Sequence, residues 1–527
     1  MATRPPLVPW YSEMIARSAA SLLLLALPLC ACQGGESSGA AGLAGAAGLA
    51  GAAGLAGAAG LAGAAGLAGA PSKHPAEGNS GDTGAAGSAG VPSASVQAGA
   101  GGRDVVGGAG GSWGSLPPFV DLSASQYFPP IGDQGVIGAC DWFAAVYYQM
   151  TYATNRQHDR ACTPTNTFSP KFGYNILNNA GPYPYNIRLP DIYEFVEKHG
   201  AATVAQLPYD MADGSGYREW CTDADIWEAA LSYRIAGYEY FEYHATRTGS
   251  QTFNDFERYV SEIKRLLAAG EVLVFQSEPD PARIVFGSIQ DDPTDDSDNQ
   301  LVGESVVTSG VDGPNHTMAM VGYDERLWVD LDGNGEIESN ERGAYKIADS
   351  FGDAAGYHNK GFLWLASSAL ADAIYLDRFY RMRVREAYQP TRVARITLTT
   401  AERDTVRLQF GRSTSDDPED TEPTLVFDPY GLGYEPGAAG VSLIEGGDFA
   451  FDGGTEAAAG SFAFDLTDID VRDDDGYFYL RLANNSSAPL VLESFSVIDV
   501  DSGTVLTDEA LPLTVTNEEV FRFVRVR

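Results

Sequence analysis

From about Gly39 to Ala70 the six-residue unit GLAGAA recurs almost without interruption, and Gly, Ala and Ser dominate the chain up to about Gly111. Such sequence carries nothing large to bury, so no packed core can form there and a mobile tether is expected. Folding is therefore confined to the chain from about Leu116 onward, where large apolar and aromatic residues become frequent. Of 527 residues in all, the part beyond the tether is long enough for two domains at about 150 residues or more each.

Ahead of the tether, Arg17 precedes an apolar run from Ala19 to Leu29. The run is too short to persist as a membrane-spanning helix and suits a signal peptide. It closes on Leu29-Cys30-Ala31-Cys32, which resembles a bacterial lipobox and marks Cys32 as the residue to be acylated. An exported protein, lipid-anchored to a bacterial cell envelope, is expected.

Charge narrows the partners. Lys and Arg total 34 against 71 Asp and Glu, a formal charge of −37. So acidic a surface repels phosphate backbones and anionic headgroups, which excludes a nucleic-acid partner. The five cysteines include no Cys-x-x-Cys pair, so a zinc ribbon and a dithiol redox site are excluded as well.

A second shift in pattern comes near Glu386. Beyond it, alternating segments such as ARITLTT, TVRLQF, SFAFDL and YFYLRLA are separated by turns rich in Asp, Gly and Pro. Period-two alternation at that spacing predicts an all-β sandwich, and the absence of Lys and Cys from it leaves no obvious nucleophile. The expected organisation is a signal peptide over 1–32, a tether over 33–115, a catalytic domain over 116–385 and an accessory β-sandwich over 386–527.

The chemistry centres on Cys140, in GDQGVIGACDWFAA. Trp142, Val146, Gln149 and Met150 recur at helical spacing, and neither Gly nor Pro interrupts the run to Arg156. Cys140 thus lies at a helix amino terminus, where unsatisfied N–H groups and the helix dipole favour a thiolate. Gln134 sits on a Gly-punctuated loop able to fold back and aim its amide at an oxyanion. Further on, His316 opens the strand-like run HTMAMVGY, and KIADSFGDAAGYHNKGFLWL presents Asp349 beside a Gly-rich loop.

Cysteine, histidine and then a carboxylate or amide, in that chain order, resemble the papain-like cysteine peptidases. VDLSASQYFPPIGDQGVIGACDWFAAVYY is similar to that family's Gln-and-Cys segment, NHTMAMVGYD to its histidine strand and ADSFG to its Asn-Ser-Trp-Gly segment. The likeness spans roughly Leu116 to Arg385. It implies an α+β, two-lobed domain, one lobe helical and one antiparallel β. It also implies Cys140 as nucleophile, His316 as general base and then acid, Asp349 as the group accepting the imidazole Nδ1 proton, and Gln134 with the Cys140 N–H as oxyanion donors. The implied reaction is hydrolysis of protein or peptide substrates through a thioester acyl-enzyme by a monomeric enzyme, with no organic cofactor. The alternative is an impaired relative that binds peptides or glycans.

Several positions depart from the family. Asp349 replaces the usual Asn, Asp141 follows the nucleophile where Trp is typical, and Phe351 replaces the Trp that shields the triad. His316 also follows Cys140 at a longer interval than the ~130–150 residues usual for such enzymes, which points to an insertion near the acidic segment Ser288 to Gln300. Cys162 and Cys221 are left as a candidate disulfide in an exported chain. Gly181-Pro182-Tyr183 is a candidate wall of the substrate pocket.

Asp330 to Glu341 reads DLDGNGEIESNE and fits the EF-hand loop pattern. Asp330, Asp332, Asn334 and Glu341 supply side-chain oxygens, Glu336 a backbone carbonyl, and Glu338 a direct or water-mediated ligand for structural Ca2+. No amphipathic helix succeeds it, so a calcium loop at a hairpin tip is expected. Because it joins the His316 strand to the Asp349 strand, bound calcium is expected to rigidify the triad.

Overall fold

The computed structural model describes residues 116–178, 188–243, 251–253, 255–278, 283–311, 313–352, 359–370, 378–427, 449–469 and 476–526. The signal segment, Cys32, the tether and Gly181-Pro182-Tyr183 lie outside these residues. All described residues belong to one compact unit, Trp113–Arg527.

The helical side is built around α1, residues 140–157. It runs through Cys140–Trp142 as an α-helix, Phe143–Met150 as a π-helix and Thr151–Gln157 as an α-helix. Phe143, Ala144, Ala145, Val146, Tyr148 and Met150 are all buried, the pattern of a helix enclosed on every side. Around it lie α2 (Lys171–Leu177), α3 (Leu189–His199) and α4 (Ala224–Leu231). Gly173 lets α2 approach α1 closely, because a Cβ there would lie 1.9 Å from the Trp142 ring. Asp223 caps α4 by accepting from the Asp225 N–H.

Against this side lies a ten-stranded sheet in the order β3-β2-β10-β4-β7-β8-β9-β6-β5, with β1 added along β7. Its strands are β1 (Phe119–Asp121), β2 (Ile235–Tyr243), β3 (Gln251–Phe253), β4 (Leu273–Glu278), β5 (Val285–Ser288), β6 (Ser305–Ser309), β7 (Gly313–Trp328), β8 (Arg342–Ala348), β9 (Phe362–Ala366) and β10 (Arg378–Val384). The pairings are antiparallel except β2 with β3 and β6 with β9. Both faces of β7 are buried: Ala319 and Val321 join the core shared with α1, while Met318 and Met320 pack under helix α5 (Phe256–Ala268). Period-two alternation in HTMAMVGY therefore sorts residues between two cores. The acidic segment Ser288 to Gln300 connects β5 toward β6 at the edge of the sheet.

The last third forms two antiparallel sheets. One contains β11 (Arg392–Thr400), β14 (Ala458–Asp465), β16 (Leu490–Asp499), β17 (Thr504–Thr507) and β18 (Leu513–Val515). The other contains β12 (Val406–Ser413), β13 (Thr421–Phe427), β15 (Tyr477–Asn484) and β19 (Glu518–Arg525). Their facing sides share a core, with the Phe410 ring 4.9 Å from Phe464 and 6.4 Å from Phe495.

These sheets are welded to the helical side. Trp227 of α4 packs on Phe427, Phe462 and Phe464 at 6.1, 5.6 and 6.0 Å. Backbone hydrogen bonds cross the seam from Trp220 N–H to Phe451 O and from Ser461 N–H to Thr222 O. Arg395 pairs with Asp225 and Glu228, and Arg234 with Asp465 at 2.6 Å. His199 sits within this seam, 5.2 Å from Phe427, and burial lowers its pKa to about 3.

Candidate active site

The loop before α1 folds onto the segment after β8. A bridge pairs Asp133 with Phe351, the Gln134 N–H donates to Ser350 O at 2.7 Å, and the Gly352 N–H donates to Gly132 O at 3.0 Å. Gly135 makes the turn possible: its φ is +62°, and a Cβ would lie 1.9 Å from Ala212 O. Three stretches far apart in sequence thus meet at the amino terminus of α1.

Cys140 is the first helical residue, so its N–H has no intrahelical partner. Its thiol is free and buried, close enough to His316 to help raise the imidazole. His316 is 5% exposed, and its Nε2 lies 2.6 Å from Asp349 Oδ1. That leaves Nδ1 for Cys140, so the expected assignment of Nδ1 to Asp349 is corrected to Nε2. The direction in which β7 presents the ring, which the sequence does not encode locally, decides this. Phe351 stacks on the imidazole at 4.9 Å and 15° and is itself 41% exposed. It covers one face of the ring.

Burial works against charge on His316, but the Asp349 carboxylate that accepts from it and the nearby Cys140 sulfur outweigh that penalty. The imidazole pKa is held well above the ordinary histidine range. Asp349 is fixed in turn: its Oδ1 also accepts from the Ser350 N–H at 2.6 Å, and its N–H donates to Gly361 O.

Gln134 is buried on the loop that leads into α1. Its Oε1 accepts from the Ser350 hydroxyl, and its Nε2 donates to Ile137 O at 2.8 Å. An amide carries two N–H groups, so one remains for an oxyanion at Cys140.

Some residues in the arrangement are absent from the motif reading. Tyr148, on α1, donates to Asp349 O at 2.6 Å and accepts from the Gly132 N–H at 3.0 Å. It ties helix, loop and carboxylate segment together. Nothing in its spacing from Cys140 signals this, because the π-helical stretch shifts its face. Asp141, already marked as a departure, accepts from the Thr317 hydroxyl, so the residue after Cys140 grips the residue after His316. Burial pushes its carboxyl upward, against the pull of Thr317 and His316.

Cys162 and Cys221 do not form the expected bridge; both are free. Cys162 Sγ contacts Thr167 Oγ1 at 3.0 Å, whereas Cys221 is buried before α4 with its carbonyl accepting from Trp227 Nε1. Burial raises both thiols, that of Cys221 to about 11, so neither is a ready thiolate.

The DLDGNGEIESNE loop brings together ligand oxygens of Asp330, Asp332 and Glu341 within 4.8 Å of one another. Asp330 accepts from the Gly333, Asn334 and Gly335 N–H groups, and Asn334 Oδ1 accepts from the Glu336 N–H. The side chains of Glu336 and Glu338 are not part of the converging set. This loop lies at the end of the β7–β8 hairpin opposite His316 and Asp349.

No family model matches the chain, and no curated protein matches it. Several solved cysteine proteases are similar to it. The Amb a 11 cysteine protease of ragweed pollen, in its proform, has 18% identity over 52% of this chain and 67% of its own, with a TM-score of 0.34. A digestive procathepsin from Tenebrio molitor larval midgut has 15% identity over 52% and 70%, with a TM-score of 0.33. The bromelain protease of Ananas comosus, bound to an inhibitor, has 16% identity over 50% of this chain and 99% of its own, with a TM-score of 0.32.

Proposed function

We propose that this chain is a papain-like cysteine peptidase. The observation that carries the reading is His316, buried between a free cysteine at a helix amino terminus and a carboxylate at 2.6 Å. In this reading Cys140 passes its proton to His316 Nδ1, so that a thiolate and an imidazolium act as a pair. The thiolate attacks the scissile carbonyl, and the remaining Gln134 amide N–H and the Cys140 N–H receive the oxyanion. His316 then gives its Nδ1 proton to the leaving amine, which frees the amino-side product and leaves a thioester on Cys140. As a base, the same nitrogen takes a proton from water, which attacks the thioester and releases the acid product.

Finer parts of the proposal rest on sequence pattern and placement. The helices around α1 and the large sheet act as the two lobes of the catalytic domain, and the C-terminal sheets as a β-sandwich fixed to it. Asp330, Asp332 and Glu341 are a donor set suited to a hard divalent cation such as Ca2+, which would brace the hairpin tip. Export, acylation at Cys32 and the long tether would place a monomeric enzyme at a bacterial envelope, acting on protein or peptide substrates.

Digestion of a peptide library by the full chain tests the activity. Peptide cleavage by the native chain and at least a thousandfold less by Cys140→Ala is expected. Equal product from both would refute it.

A further inference from the structure

Basic side chains are the minority here, yet one cavity is lined by them and by no carboxylate. It has a volume of about 580 Å3, within the range of small-molecule sites. Its walls come from the far end of α1 with His158 and Arg160, the turn after α4 with Tyr233 and Arg234, and the connection from β10 to β11 with Arg385 and Tyr388. Cys140, at the opposite end of α1, is not among its lining residues.

The three arginines are not equivalent. Arg234 is neutralised by Asp465 at 2.6 Å. Among the described residues, neither Arg160 nor Arg385 meets a carboxylate. Arg160 donates from Nε to Asn155 Oδ1 at 2.9 Å, lies over the Tyr233 ring, and has a buried Nη2 with no hydrogen-bond partner. Arg385 donates from Nε to Ile235 O at 3.0 Å and lies 4.7 Å from the Tyr388 ring centroid. The acids adjacent in sequence do not help: Asp159 accepts from the Tyr127 hydroxyl at 2.7 Å, and Glu386 is exposed and outside the lining.

Guanidinium groups do not release their protons in proteins, so two positive charges persist here. The carboxy-terminal end of α1 offsets about half a charge at most. In a chain of formal charge −37, partners of the missing sign are abundant, yet this cavity holds none. An anion entering it meets two guanidinium groups held in place through their Nε atoms, with the Gln389 amide, whose Oε1 accepts from the Ser232 hydroxyl, as a further polar group.

We propose that this cavity binds a small organic oxyanion, a carboxylate or a phosphate ester, with Arg160 and Arg385 supplying the charge. The site stands apart from the peptidase assignment. Bound there, the anion would touch both the helical side and the connection to the C-terminal sheets.

Calorimetric titration of the full chain with citrate and with inorganic phosphate, at ionic strength held constant with sodium chloride, tests this and distinguishes the two ligand chemistries. Saturable binding of at least one is expected, weakened at least about tenfold in Arg160→Gln and in Arg385→Gln. Arg160→Lys, which keeps the charge and the packing of the stem, should weaken it less. Arg383→Gln, which removes an arginine that does not line the cavity, should leave it unchanged. Absence of saturable binding by both anions, or equal weakening in Arg383→Gln, would overturn the proposal.

Discussion

At the scale of single residues, the telling substitution is a carboxylate where the resembled family carries an amide. Asp349→Asn keeps an oxygen to accept from His316 Nε2 but removes the charge that offsets burial. The raised imidazole is protonated below its folded value and neutral above it, so the proton it would give to a leaving group is lost as pH rises through that value. In Asp349→Asn the alkaline limb of kcat/KM should therefore move to lower pH, as a pH–rate profile would register. A second expectation concerns Asp141. Removing its grip on Thr317 in Asp141→Ala loosens nucleophile and base without touching substrate, so kcat should fall about tenfold or more while KM changes little. Cys140, His316, Asp349 and Gln134 are legible in the sequence because each stands in a short motif. Tyr148 is not, and neither is the ring nitrogen facing Asp349, because both depend on the rotation of an element about its own axis.

At the scale of elements, α3 carries a titration built into its packing. His199 is enclosed by Phe195, Trp227, Phe427 and Phe464, and its pKa is lowered to about 3. The unfolded chain binds that proton near pH 6.5, so the contribution is complete above that value and declines as pH falls toward 3. His199→Phe should flatten this stretch of the stability curve measured by chemical unfolding. The β7–β8 hairpin carries the other expectation. Its acidic loop lies at the end of the hairpin away from His316 and Asp349, so a cation bound there would brace the hairpin tip without touching either residue. Calcium chelation should lower the melting temperature while kcat/KM stays within about twofold, since mass-action stabilisation of the fold does not require contact with the site. Period-two and helical spacing mark β7, α1 and the C-terminal strands in the sequence. They do not reveal a ten-stranded sheet or the π-helical stretch, because partner choice and helix register are set by non-local packing.

At the scale of the whole molecule, the change in pattern near Glu386 marks where the chain enters the C-terminal sheets, yet the core does not stop there. Trp220 and Trp227 lean on Phe427, Phe451, Phe462 and Phe464. Ending the chain after Arg385 would bare both indoles and leave Arg395's partners, Asp225 and Glu228, without their cation. Such a truncation should aggregate, or unfold well below the melting temperature of the full chain, when followed by light scattering during a thermal ramp. A sequence shows which residues are apolar but not which faces will meet. A term such as accessory domain, drawn from composition alone, thus understates how firmly the two parts are joined. What unites the molecule is a core that delivers three distant stretches to one end of α1. The pH dependence of Cys140 alkylation by iodoacetamide, followed by mass spectrometry in the native chain and in His316→Ala, probes that delivery. Rapid modification already at pH 6, lost in His316→Ala, is the expected result. Modification that rises only near pH 8.5 in both, the behaviour of an unassisted thiol, would contradict the assembly described.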